Sequence, residues 1–252
     1  MNAMNPTISV VIPALNEEAR ILTCLHTVHR ALPQAEVIVV DGGSHDRTVA
    51  LARQTGATVI HAEAPGRGGQ CRLGASVATG EILVFIHADC QLAAEAQHTI
   101  KTFFAASFAH QLAKLRLTYT ARRPIYRVLN RLAPIDHYFA NTGDHGIVVR
   151  RAFYEAIGGM SELPLFEDVE FFQRARRHAR LFVLDIPLYV SARRFEANGP
   201  LRQLTLDAWL MTRYALGACP HHLRKRYERR RQRRSWRQRL LLGAPSQKSQ
   251  PH

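Results

Sequence analysis

An α/β domain built on an open, mostly parallel sheet is the fold class this sequence predicts, and three observations predict it. Short β-branched runs recur at Ile8–Ile12, Val37–Val40, Thr58–Ile60 and Ile82–Ile86; they are unbroken rather than alternating, as in strands covered on both faces. Segments of helical length and spacing separate them, at Glu17–Ala31, Asp46–Gln54 and Gln70–Ala78, and this βαβα order calls for parallel strands joined by right-handed crossovers. The chain is 252 residues long with 46% apolar and 21% charged residues, enough to bury a large core.

The later elements read differently. Ala113–Thr120 alternates apolar residues with Lys114 and Arg116, the pattern of a half-exposed strand. Arg122–Ala140 is a basic and aromatic stretch that predicts a short helix with loops, and Gly146–Val149 and Leu181–Ile186 predict further strands. Glu167–His178 predicts a helix that opens with acids in its first turn. Leu201–Leu216 is amphipathic, with Leu204, Ala208, Met211 and Ala215 on one stripe. The expected organisation is a catalytic-sized domain over 1–200, an amphipathic helix over 201–220 and a basic, partly disordered tail over 221–252.

Charge sorts the chain in the same way. Residues 221–252 hold eleven Lys or Arg against Glu228 alone, so +10 of the net +14 lies there and +4 in residues 1–220. Cys24, Cys71, Cys90 and Cys219 are far apart and form no C-x-x-C pair, which argues against a disulfide framework or a thiolate zinc site and makes a reducing compartment the default. No run of eighteen apolar residues occurs and the first apolar run is too short for a signal-peptide core. The expectation is a soluble or peripheral protein, cytoplasmic or on the inner face of the cell membrane.

In parallel α/β sheets ligands gather beyond the carboxyl ends of the strands, and the residues that follow each run are polar. After the fourth run come His87, Ala88 and Asp89. On an extended chain His87 and Asp89 would face the same side and could hold a hard divalent cation; equally, Asp89 could cap a helix beside a packed His87. After the second run, Asp41 and Asp46 flank Gly42-Gly43-Ser44, a turn whose acids could accept from a base or a ribose hydroxyl or could cap the helix. Arg67 lies in Gly66-Arg67-Gly68-Gly69 before a helix, where a guanidinium and free N–H groups suit a phosphate. Glu167-Asp168 could supply a general base or could serve only the helix dipole.

Taken together, Ile8-Ser9-Val10-Val11-Ile12-Pro13-x-x-Asn16-Glu17, Val39-Val40-Asp41-Gly42-Gly43-Ser44-x-Asp46-x-Thr48, Phe85-Ile86-His87-Ala88-Asp89 and Glu167-Asp168 resemble the family 2 glycosyltransferases of GT-A fold over residues 7–195. Gly66-Arg67-x-x-Gln70, Gly143-Asp144-x-Gly146, Gly158-Gly159 and Ser191-x-Arg193-Arg194 are most similar to the short bacterial radical-SAM/selenodomain-associated subgroup. The resemblance implies a nucleotide-diphospho-sugar donor, a divalent metal (Mg²⁺ or Mn²⁺) and inversion at the anomeric carbon. By position it implies that Pro13, Glu17 and Asp41 line the nucleoside pocket with Asp46 supporting that turn. Arg67, Gln70, Ala88 and Asp89 complete the nucleotide-sugar set, Asp89 and His87 face the metal, and Asp168 is the general base with Glu167 beside it. His87 stands where many relatives have the first acid of D-x-D, and Gly42 replaces the second acid of the usual Asp-Asp-Gly-Ser turn. The Gln-x-x-Arg-Trp element of processive synthases is absent, which implies one sugar per encounter.

The acceptor is not read from the sequence. Tyr126, His137, Tyr138, Asn141 and Asp144 are wall candidates in an irregular region. Arg224–Arg239 holds ten basic residues in sixteen, a solvated tail or an attraction to anionic lipid at about 1 kcal/mol per basic residue near the surface, which would suit a lipid-linked acceptor. Two alternatives stand: a nucleic-acid or membrane binder acting through the tail, and a domain that transfers a nucleotide. Nothing in the body resembles an RNA-binding module, so nucleic acid is disfavoured.

Overall fold

The computed structural model describes residues 5–121, 123–135 and 145–227. Four strands fall on the four β-branched runs: β1 (Ile8–Ala14), β2 (Glu36–Asp41), β3 (Thr58–His61) and β4 (Ile82–Phe85). The helices between them, α1 (Ile21–Ala31), α2 (Thr48–Gln54) and α3 (Arg67–Val77), make every pairing in this half parallel. Every residue of β1 is buried. Val10 and Ile12 pack on one face of the sheet with Cys24, Leu25 and Val28 of α1, while Val11 packs on the other with Cys71 and Ala75 of α3. Period-2 alternation between two covered faces is the reason the run reads as continuously apolar. Each Val or Ile so buried contributes roughly 1.5–3 kcal/mol.

The second half supplies β5 (Cys90–Leu92), α4 (Ala96–Ala106), β6 (Leu112–Tyr119), α5 (Pro124–Leu132), β7 (Ile147–Arg150), α6 (Arg151–Ala156), α7 (Glu167–Ala175), β8 (Leu181–Val190), α8 (Arg193–Asn198) and α9 (Pro200–Ala215). All eight strands form one sheet in the order β3-β2-β1-β4-β7-β6-β8-β5. Pairings β4–β7, β6–β7 and β5–β8 are antiparallel, so the sheet is parallel on one side and mixed on the other. Strand order reverses between β1 and β4, with β2 and β3 on one flank; a crevice opens at the carboxyl ends of strands at such a switch point.

Two readings of the second half are corrected. β6 is half-exposed only in its second half, at Arg116, Thr118 and Tyr119: Lys114 is wholly buried, and its ammonium donates to the carbonyls of Ala133 at 3.2 Å and Ile135 at 3.1 Å, where the chain leaving α5 has carbonyls in need of donors. On α9 the buried residues are Gln203, Leu210 and Met211, and Ala208 and Ala215 are exposed. The helix serves two clusters at once, Leu204 with Phe195 and Tyr126, and Leu210 and Met211 with Phe166 and Val169, so its apolar residues do not form a single stripe.

Residues 221–227, placed with the basic tail on sequence grounds, are helical and packed on the body. Leu223 is buried, Arg224 donates to Pro164 O at 3.2 Å, and the Arg226 guanidinium lies 4.8 Å from the Trp209 ring centre. The tail from 228 onward lies outside the described residues, as do His137, Tyr138, Asn141 and Asp144. Among the described residues no helix is long and apolar enough to cross a membrane.

Candidate active site

The loops after β1 and β2 are clasped to each other. Asn16 N–H donates to Ser44 Oγ at 2.9 Å and Asn16 Oδ1 accepts from His45 N–H at 2.9 Å. Glu17 N–H donates to Thr48 Oγ1 at 2.8 Å, Glu18 N–H to Asp46 Oδ2 at 3.1 Å, and Arg47 N–H returns to Glu18 Oε2 at 3.1 Å. Thus Asn16, Ser44 and Thr48, which carried the resemblance without assigned roles, satisfy backbone groups that two irregular loops would otherwise leave unpaired.

Asp41 is 2% exposed and takes the N–H groups of Gly43 at 3.0 Å and Ser44 at 3.1 Å, with His61 Nδ1 3.4 Å away. Burial pushes its carboxyl pKa up, but the hydrogen bonds from Ser44, Gly43 and His61 together outweigh burial and hold it below the usual carboxylate range. Asp46 accepts from Thr48 N–H at 2.9 Å and from the Thr48 hydroxyl at 2.5 Å. Neither acid lines the adjoining cleft; their carboxylates shape the turn. Gln70, buried, donates to Ala14 O at 3.0 Å and Val40 O at 2.7 Å, tying the ends of β1 and β2 to α3. A Cβ on Gly42 would come within 3.1 Å of the Gln70 amide, so a side chain there would have to displace the amide that ties β1 and β2 together.

A cleft of about 420 Å³ opens at the switch point. It gathers Pro13, Glu17, Arg67, Gln70, His87, Ala88, Asp89 and Glu167 from the sequence-predicted set. His87 and Asp89 reach it by a route other than the one expected: the strand ends at Phe85, and Cys90 N–H closes a turn onto His87 O at 3.1 Å. The two side chains therefore leave a turn, not an extended chain. Arg193 joins them, its guanidinium 3.1 Å from Glu17 Oε1 and 3.7 Å from Asp89 Oδ2. Its motif marked it in the sequence, but nothing there placed it more than a hundred residues away against Asp89. Tyr119, Leu165, Phe195, Arg224 and Tyr227 complete the walls, and no local signal announced them. Tyr126 is not a wall residue; it is wholly buried against Tyr119 and Phe195. Among the described residues no group of three or more His, Cys, Asp or Glu side chains converges.

The acid pair starts α7. Phe166, just before it, holds φ +68°, a left-handed conformation that costs a bulky residue about 1–3 kcal/mol; its ring is buried and stacked on Tyr214 of α9 at 4.8 Å. Arg174 pairs with Glu170 at 2.8 Å and donates to Gly159 O at 2.7 Å, so the preceding Gly158-Gly159 loop is fastened to α7. A Cβ on Gly68 would lie 1.9 Å from Ser161 O; only glycine lets α3 approach this loop. The result separates the two acids. Glu167 faces the cleft, paired with Arg67 Nε at 2.9 Å. Asp168 faces a second chamber of about 810 Å³ and accepts from Val169 N–H at 2.7 Å. Below the cleft Cys24 donates its thiol to His87 O at 3.6 Å. Burial, then Asp89 and Glu17, pushes the Cys24 pKa up to about 12, and burial raises Cys71 further; both stay thiols.

The model of "Glycosyl transferase family 2" matches residues 9–142. A 4,4'-diaponeurosporenoate glycosyltransferase of Staphylococcus haemolyticus (strain JCSC1435) is 32% identical over 134 residues, covering 50% of this chain and 35% of that protein. The chain spans about a third or less of the length of the first curated relatives it matches. Among solved structures, residues 1–349 of S. aureus TarS in complex with UDP-GlcNAc superpose with TM-score 0.60 at 21% identity, covering 73% of this chain and 58% of that one. The mannosyltransferase PcManGT from Pyrobaculum calidifontis, in complex with GDP-Man and Mn²⁺, gives 0.56 at 21% identity, covering 74% and 57%. At such identities the likeness is one of fold.

Proposed function

The chain belongs to glycosyl transferase family 2 and has the GT-A fold, and from that premise we propose that it transfers one sugar from a nucleotide-diphospho-sugar to a hydroxyl acceptor, inverting the anomeric carbon. The observation that carries this reading is the convergence of Pro13, Glu17, Arg67, Asp89 and Glu167 in one cleft at the reversal of strand order. Gly66-Arg67-x-x-Gln70 and Ser191-x-Arg193-Arg194 support placement in the radical-SAM/selenodomain-associated subgroup, and four free cysteines suit a reducing, cytoplasmic setting.

Each residue has a stated part. Pro13 and Ala88 wall the donor, and Gln70, Asp41 and Asp46 fix the loops that receive the nucleoside. Arg67 and Arg193 oppose the diphosphate charge. The donor set fits a hard divalent cation that takes one protein carboxylate and fills its shell from phosphate and water; Asp89, with His87 beside it, would hold it. When bound, such a cation neutralises the leaving diphosphate. Asp168 takes the acceptor's hydroxyl proton as the acceptor oxygen bonds to the anomeric carbon. The bond from that carbon to the diphosphate oxygen breaks, and the nucleoside diphosphate leaves with the electron pair. Glu167 holds Arg67 at the junction.

The test is isothermal titration with UDP, GDP, CDP and ADP, each with and without Mn²⁺, on the parent and on Asp89→Ala. Binding of one nucleotide that weakens at least tenfold in Asp89→Ala is the expected result. Failure of a folded protein to bind any of the four would refute the donor assignment. A ladder of extended oligomers from one acceptor would refute single transfer.

A further inference from the structure

Asp168 is not among the walls of the donor cleft; it lines the chamber of about 810 Å³ and, with Glu167, Arg67 and His87, a small pocket beside the cleft. Leu117, Leu129, Leu132, Leu204, Leu210 and Met211 supply much of the lining. The chamber adjoins the cleft, and Arg67, Tyr119, Leu165, Phe195 and Tyr227 are walls of both. Its volume is that of a site for an extended small molecule. Polar groups are few among its walls, namely Arg67, His145, Asp168, Asp207 and the tyrosines, so a hydroxyl-rich acceptor would leave those hydroxyls that face the leucines unpaired, at roughly 2–7 kcal/mol each. A hydrocarbon chain instead gains about 0.8 kcal/mol per buried CH₂.

The rim carries the same message. On α5, Arg123, Arg127 and Arg131 recur every four residues and are exposed. Val128, Leu132 and Ile135 are also exposed, at 54%, 48% and 50%, and Leu132 and Ile135 line the chamber as well. A basic stripe beside exposed apolar side chains is the pattern of a helix that lies at an anionic membrane surface. Lys114, buried beneath, fixes the end of this helix through Ala133 and Ile135.

We infer that the acceptor is a hydroxyl-bearing lipid. Its hydrocarbon chain lies in the leucine-lined chamber, its hydroxyl meets Asp168, and α5 sits at the membrane surface from which it is drawn. This rests on the sugar-transferase reading and names the acceptor class for that same site.

The probe is cis-parinaryl alcohol, a neutral fatty alcohol that fluoresces in apolar surroundings and accepts energy from tryptophan. With Trp236→Phe in every sample, Trp209, half-buried on α9 beside Leu210 and Met211, is the donor. The full chain is titrated with the probe and, separately, with the nucleotide that it binds. Ala208→Phe fills the chamber from an exposed helix position, and Leu132→Glu puts a charge on its rim; neither residue lines the donor cleft. Expected are saturable binding of one probe per chain with tryptophan-sensitised emission, at least tenfold weaker binding in both variants, and nucleotide affinity within twofold of the parent. Probe binding that is absent, or equal in parent and variants, while nucleotide binding is intact overturns the lipid acceptor and leaves the donor site standing. Absence of nucleotide binding in the parent overturns the donor reading and the acceptor role with it.

Discussion

Replacing Asp168 by asparagine separates its chemical part from its structural one. Asparagine keeps the volume and an Oδ1 able to accept from Val169 N–H, the 2.7 Å bond that Asp168 makes in the first turn of α7. What is lost in stability is the attraction of one carboxylate to a helix N-terminus, about 0.3–1 kcal/mol. For a chain of this size that is a fall in Tm of roughly 1–4 °C. What is lost in catalysis is a positioned base, worth about 10²–10⁴ in rate, or roughly 2.7–5.4 kcal/mol of barrier at 1.36 kcal/mol per tenfold. The barrier effect therefore exceeds the stability effect several-fold, and the variant stays folded while turnover collapses. The assay is the initial rate of nucleoside diphosphate release in the presence of donor and acceptor, with Tm and nucleotide titration on the same preparation. Because Asp168 is not a wall of the donor cleft, nucleotide affinity is expected within threefold of the parent. A turnover rate within threefold of the parent would refute the assignment of the base, and a tenfold loss of nucleotide affinity would refute the separation of the two acids.

Four further outcomes follow from the same geometry. Arg193→Ala, which removes the partner of Glu17 and Asp89, is expected to weaken nucleoside diphosphate binding about tenfold; exposed ion pairs are worth only about 0–1 kcal/mol, so Tm should move little, and a large drop in Tm would mean the residue is structural. Gly68→Ala forces a Cβ against Ser161 O and should cost about 1–3 kcal/mol, read as a lower midpoint in urea; an unchanged midpoint contradicts the close approach of α3. The Asp41 carboxyl is held below its ordinary value, so its contribution to stability is full above about pH 4 and fades as pH falls through that lowered value; Asp41→Asn should lower Tm at pH 7, with the gap from the parent closing toward pH 3, and a gap constant with pH rejects this account. Because Cys24, Cys71 and Cys90 are buried and Cys219 is exposed, a thiol-reactive chromophore at pH 8 should label one cysteine rapidly in the native chain and four in urea; two rapid labels would place a buried thiol within reach.

Much of the fold was legible because its signal is local. A parallel strand covered on both faces is apolar at most positions, and β1, β2 and β4 follow that rule; β3, at the sheet edge, is only half-buried, and its β-branched residues rather than two covered faces made it legible. Lys114 shows where the rule fails: alternation suggested a solvent face, yet the ammonium is buried because α5 presents it with two carbonyls. The stripe on α9 fails in a related way, since that helix divides its side chains between two neighbours. β5 gave no periodic signal because three residues are too few to show one, whereas α4 does carry a helical spacing at Ala96, Ile100, Phe103 and Phe104 that the sequence reading did not take up.

What the sequence determined by itself is the chemistry available and its order along the chain: strands followed by acids, an arginine beside glycines, and an acid pair at a helix start. Tertiary structure alone decided which of these groups meet. Buried Asp41 and half-exposed Asp46 are spent on holding the loop, because their carboxylates accept the N–H groups of Gly43, Ser44 and Thr48 that the turn would otherwise leave unpaired. Arg193 came to Asp89 across about a hundred residues, a distance over which no local pattern acts. Glu167 and Asp168, neighbours in the chain, share one small pocket but divide the larger spaces, Glu167 lining the cleft and Asp168 the chamber, because successive residues leave a helix about 100° apart.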